Sequence, residues 1–95
     1  MMMNNKTGET LVILQEECAE VIQAASKILR FGFESRYPND DFASTKENLE
    51  MEAGQLLCMI SLLVDQGVIS EDAMLAAMEH KKEKLKTWSS IFDGH

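Results

Sequence analysis

Glu16, Glu17 and Glu20 stand inside an otherwise apolar stretch that includes Leu14, Cys18, Val21 and Ile22, and a second acidic group, Glu52 and Gln55 with Glu50 nearby, follows farther along the chain. On an α-helix, residues three apart share a face. Glu17 with Glu20, and Glu52 with Gln55, therefore each present two oxygen ligands in one direction. No basic residue separates Glu17 from Glu20, and like charges at this spacing repel by roughly 0.2–0.5 kcal/mol on an isolated helix. A compensating cation is implied. Antiparallel packing of the two helices would gather Glu17, Glu20, Glu52 and Gln55 into one oxygen-rich site, a donor set suited to Mg²⁺ or Mn²⁺. Such ions can bridge phosphate oxygens, activate water and neutralise a leaving pyrophosphate.

The elements that must position these groups are helical. Leu11, Leu14, Cys18, Val21, Ala25 and Ile28 recur in steps of three and four, the spacing of one buried helical stripe. A second line, Ile13, Glu17, Glu20, Ala24 and Lys27, runs beside it and is expected to be half-buried. The first helix should open at a cap on Thr7 or Thr10 after a disordered lead over residues 1–9, and stop between Arg30 and Gly32. Residues 31–45 hold most of the aromatics and the single Pro and show no helical period, which predicts a long connection. A second helix opens at Ser44 or Thr45 and ends near Gln66, before Gly67. Its main stripe is Leu49, Ala53, Leu56, Ile60 and Leu63, with Glu52, Gln55, Met59 and Leu62 one edge over. Ser70 caps a third helix with Glu71 and Asp72 in its first turn and Lys81, Lys82, Lys84 and Lys86 near its end, charges that follow the helix macrodipole. Residues 89–95 form a short tail.

The expected fold is all-α: a single domain over residues 10–88 whose three main helices form a bundle completed by a second subunit. The second helix is apolar on several sides, more than three helices from one chain can cover, so a homodimer or homotetramer is expected. The chain has 95 residues, 45% of them hydrophobic, and 9 basic against 16 acidic residues give a net charge of -7. That sign disfavours nucleic acid and anionic membranes as partners, and a nucleotide polyphosphate would need metal ions between carboxylate and phosphate. Cys18 and Cys58 fall in apolar patterns without zinc-ligand spacing, which predicts buried reduced thiols and a cytoplasmic protein. The N-terminus lacks the apolar core of a signal peptide, and the longest uncharged run, residues 53–64, is too short to span a bilayer.

Taken in order, Glu16-Glu17-x-x-Glu20, Lys27-x-x-Arg30-Phe31-Gly32, Asn48-Leu49-x-x-Glu52-x-Gly54-Gln55-Leu56-Leu57 and a Lys-rich last helix resemble the MazG-like nucleoside triphosphate pyrophosphohydrolases, particularly small phage-type members, over residues 10–88. The resemblance implies an all-α dimer or dimer of dimers. It also implies Mg²⁺-dependent hydrolysis of an NTP or dNTP between the α and β phosphates, giving a monophosphate and pyrophosphate. Matching positions make Glu17, Glu20 and Glu52 metal ligands, with Glu16 a further ligand or the base that orients the attacking water. Gln55 stands where the family's second motif ends in Asp. An amide oxygen ligates Mg²⁺ without contributing charge, so this site is short one carboxylate.

By the same resemblance Lys27, Arg30, Lys81 and Lys84 are candidates for the β and γ phosphates, against the plainer role of helix-dipole compensation. Phe31, Phe33, Tyr37 and Phe42 offer faces on which a base could stack, or serve to pin the connection to the core. Trp88 belongs to the core or an interface. Two alternatives stand beside the enzyme: a relative in which Gln55 has ended turnover and the site only binds nucleotide or metal, and a non-enzymatic helical oligomerisation module.

Overall fold

The computed structural model describes residues 3–36 and 43–94. Its elements are α1 (Asn5–Phe31), α2 (Thr45–Asp65) and α3 (Glu71–Trp88). Among the described residues the only β pairing is an isolated antiparallel bridge between Arg36 and Ser44. The three expected helices are present.

α1 starts earlier than its apolar period suggested. Asn4 is the cap, its Oδ1 accepting from the Thr7 amide at 2.7 Å, so residues 5–9, expected in a disordered lead, are helical. At the other end Gly32 adopts φ 84°, ψ 175°, a region essentially restricted to glycine, and its amide bonds the Ile28 carbonyl. α2 opens with a capping box in which Ser44 Oγ accepts from the Glu47 amide and Glu47 Oε1 accepts from the Ser44 amide, both at 3.1 Å. These bonds, with Arg36 at 3.6 Å, hold the Glu47 carboxyl below its ordinary pKa. Gly67, at φ 73°, ends the helix, and Ser70 caps α3.

Among the described residues the extensive helix–helix packing is between α1 and α2. Thr7 Oγ1 donates to Gln66 Oε1 and Gln66 Nε2 donates to Thr10 Oγ1, each at 3.0 Å, tying the start of α1 to the end of α2. At the opposite end Thr45 Oγ1 donates to the Gly32 carbonyl, and the Thr45 and Lys46 amides bond the carbonyls of Ser35 and Phe33. The pair is therefore antiparallel. Its facing lines alternate in steps of three and four: Thr7, Thr10, Leu14, Glu17, Val21, Ala24 and Ile28 on α1, and Thr45, Leu49, Glu52, Leu56, Met59, Leu63 and Gln66 on α2. Every residue on both lines is buried or half-buried.

This seam is rotated from the stripe read in the sequence. Cys18 and Ala25, expected in the core, are exposed, as is Cys58, whereas Glu17 and Ala24 point inward. The inward line of α1 runs through polar residues at its ends and middle, so an apolar count alone centres the stripe too far round. Buried apolar side chains are scarce: among the described residues they are Ala24, at 1% exposure, and Leu63, at 3%. α3 contributes none. It follows α2 through the Gln66–Ser70 turn, its Met74, Leu75 and Met78 lining a groove with Leu57, Ile60 and Val64 of α2, and the chain measures 45 × 39 × 15 Å. No helix among the described residues is long and apolar enough to cross a membrane.

Candidate functional site

The α1–α2 seam carries carboxylates in its middle. Glu52 is 9% exposed, and its neighbours on the inward line of α2, Leu49, Leu56 and Met59, offer no hydrogen-bond donor from their side chains. Its Oε2 is buried without a hydrogen-bond partner, and the same holds for Glu17 Oε2 on α1. An unpartnered buried carboxylate oxygen is costly. Loss of solvent pushes the Glu52 carboxyl above its ordinary pKa, the negative charges of Glu20 and Glu17 push it further, and the positive charge of Lys27 opposes them.

Glu17, Glu20 and Glu52 are thus electrostatic neighbours across the two helices, as antiparallel packing required. Glu20 and Glu16 are exposed on α1, and Gln55 is exposed on α2 beyond Glu52. The donors suit a hard divalent cation in kind: they are oxygen ligands, two have buried oxygens lacking partners, and their charges repel. They are not drawn into a finished coordination shell, since among the described residues no group of three or more His, Cys, Asp or Glu could hold a metal ion as placed.

The basic candidates divide. Lys27, half-buried on α1, acts on Glu52, a role its spacing did not reveal. Arg30 lies with its guanidinium carbon 4.9 Å from the centre of the Phe31 ring, a cation–π distance. Lys81 and Lys84 are exposed on α3, and the positive charge that acts on Glu52 is that of Lys27 on α1. Phe31 and Phe33 are exposed at the neck of the 32–44 connection, and Tyr37 and Phe42 lie outside the described residues.

Sequence reasoning missed the Thr7–Gln66–Thr10 clamp that sets the register of the seam. Its signal was present: the three-and-four spacing continues through those polar residues. Compared with known proteins, the chain matches no family model, no curated protein and no solved structure.

Proposed function

We propose that this protein is a Mg²⁺-dependent nucleoside triphosphate pyrophosphohydrolase of the MazG-like kind, acting as a homodimer or homotetramer. The observation that carries this reading is that Glu17 and Glu52, on the two sides of the α1–α2 seam, each hold a buried carboxylate oxygen without a partner, with the negative charges of Glu20 and Glu17 acting on Glu52. Glu17, Glu20 and Glu52 would hold the ion, with the Gln55 amide oxygen as a neutral ligand. Magnesium, when bound, supplies positive charge against the triphosphate and makes water a better nucleophile.

The chain's own groups do the remainder. Glu16, exposed beside Glu17, takes a proton from the water that attacks the α phosphorus. The bond from that phosphorus to the bridging oxygen breaks, and pyrophosphate leaves with the electron pair. Lys27, Arg30, Lys81 and Lys84 supply positive charge to the β and γ phosphates, and Phe31, Phe33 and Tyr37 offer faces to the base.

Incubation with each NTP and dNTP in Mg²⁺, followed by assay of monophosphate and pyrophosphate, tests the reaction. Turnover is expected, reduced at least about hundredfold in Glu52→Gln and Glu20→Gln. Absence of turnover in both Mg²⁺ and Mn²⁺ would overturn it.

A specific observation favours a second reading, the helical oligomerisation module. Fifteen large apolar side chains among the described residues are exposed, including Leu29 at 88% and Trp88 at 83%, and apolar surface of this kind, where contiguous, marks interaction sites. Calorimetry with Mg²⁺ and a non-hydrolysable nucleotide separates the two. The enzyme, or a relative silenced at Gln55, gives binding heat, and the module gives none.

A further inference from the structure

Glu52 faces α1 between an acidic and a basic stretch. The bonds of Gln66 to Thr7 and Thr10 at one end of the seam, and of Thr45 to the Gly32 carbonyl at the other, fix the register of the antiparallel pair. Counting inward from either end sets Glu52 across from the turn Val21–Ala24. Glu20 precedes that turn and Lys27 follows it, two helical turns apart, so both stand on one face of α1.

Long side chains on a helix lean toward its N-terminus. That direction takes Glu20 toward Glu16 and Glu17 and away from Lys27, whereas it takes Lys27 over the turn that faces Glu52. Ala24 fills that turn with a single methyl group, 1% exposed, and leaves the space above it to the lysine stem. Lys27 is half-buried there, the state of a lysine that packs its methylenes on a helix and extends its ammonium. Bases are otherwise missing from the middle of both helices: α1 has none between Lys6 and Lys27, and α2 has none after Lys46. Glu52, 9% exposed, keeps one buried oxygen with no donor, so Lys27 offsets its charge without donating to that oxygen. Burial and then the charges of Glu20 and Glu17 raise the Glu52 pKa, and the charge of Lys27 lowers it.

We propose that Lys27 is a resident counter-charge of this seam: its ammonium holds, beside Glu52, the place that the charge of a divalent ion takes when one binds, so that the metal must displace it. A tethered cation is present at high effective concentration, yet it leaves the buried oxygen of Glu52 open. A divalent ion competes by bringing twice the charge and an affinity for that oxygen. Lys27 thus supports the metal-free fold, and its displacement frees the ammonium for the triphosphate. The counter-charge stands on the α1–α2 geometry alone, whereas the displacement rests on the metal-binding part of the proposed function.

Two measurements on the full chain test it, neither of them turnover. The first is a double-mutant cycle in urea over Lys27→Met and Glu52→Gln, without metal, at fixed protein concentration, low salt and about pH 8, where free carboxyls are ionised. Lys27→Met should lower the folding equilibrium constant by about fivefold or more in the parent and by no more than about twofold in Glu52→Gln. Equal losses in the two backgrounds overturn the counter-charge. The second is calorimetry with Mg²⁺ or Mn²⁺ alone. Lys27→Met should tighten the ion by about tenfold, with Lys27→Arg close to the parent. An unchanged or weaker affinity, the result for a lysine that serves only the phosphates, overturns the displacement. A parent that binds neither ion removes the metal-binding reading and the displacement with it, and the cycle then decides the counter-charge by itself. Should Lys27→Met fail to fold, Lys27→Gln replaces it in both measurements.

Discussion

Glu17 on α1 and Glu52 on α2 each hold one carboxylate oxygen buried at the seam between the helices, and neither oxygen meets a hydrogen-bond donor. This relationship concentrates the electrostatic cost of the fold at one place, and that cost can be read as pH dependence. The Glu52 carboxyl titrates above its ordinary value, first because burial strips its water and then because Glu20 and Glu17 are negative. A raised carboxyl contributes stability that is fully present below its unfolded pKa and is lost as pH rises through its folded pKa. The metal-free protein should therefore melt at a lower temperature at pH 8 than at pH 5.5. Glu52→Gln should flatten that difference, and Mg²⁺ should raise the melting temperature of the parent at pH 8 but not that of the variant. Glu47, lowered by its bonds to Ser44, acts in the opposite sense: its contribution is present above its unfolded pKa and is lost as pH falls through the folded one. Thermal melts at fixed protein concentration from pH 8 down through the ordinary carboxylate range to about pH 3 check both signs.

Gln66 spends both ends of its amide on α1, accepting from Thr7 and donating to Thr10. Gln66→Ala removes two long-range hydrogen bonds and strands the Thr7 hydroxyl at the buried start of the seam, while the Thr10 hydroxyl keeps its bond to the Lys6 carbonyl. The expected cost is about 1–3 kcal/mol, seen as a lower urea midpoint with an unchanged slope.

Gly32 carries a different kind of constraint. A Cβ at this position would meet nothing within 4 Å, so the penalty of Gly32→Ala is purely one of backbone conformation at φ 84°. It should amount to about 1–3 kcal/mol. Because the Gly32 carbonyl accepts the Thr45 hydroxyl, the variant should also accelerate amide exchange in the first turn of α2. Unchanged exchange there would show that the Thr45 bond does not depend on the glycine backbone.

Gln55 is exposed one turn beyond Glu52 and carries no charge. On the metal-site reading, Gln55→Asp adds the missing carboxylate and should tighten Mg²⁺ binding by about tenfold or more in calorimetry, with turnover rising if the site limits it. A variant that binds no more tightly would place Gln55 outside the ligand set.

The sequence by itself determined the local structure. Caps at Ser44 and Ser70, stops at Gly32 and Gly67, and three helical periods are all encoded within a few residues of where they act, because capping and backbone freedom are short-range effects. It also determined that Glu17, Glu20 and Glu52 would meet if the first two helices ran antiparallel. Only the tertiary structure decided the rotation of α1, which turns Glu17 and Ala24 inward and Cys18 outward, since that angle depends on which line of α2 receives it and on the Thr7–Gln66–Thr10 bonds spanning the chain. The course of α3 was likewise illegible. Its amphipathic pattern states that a face must be covered, but a period of 3.6 residues carries no information about which surface covers it. In the structure no residue of α3 is buried by α1 and α2 of the same chain.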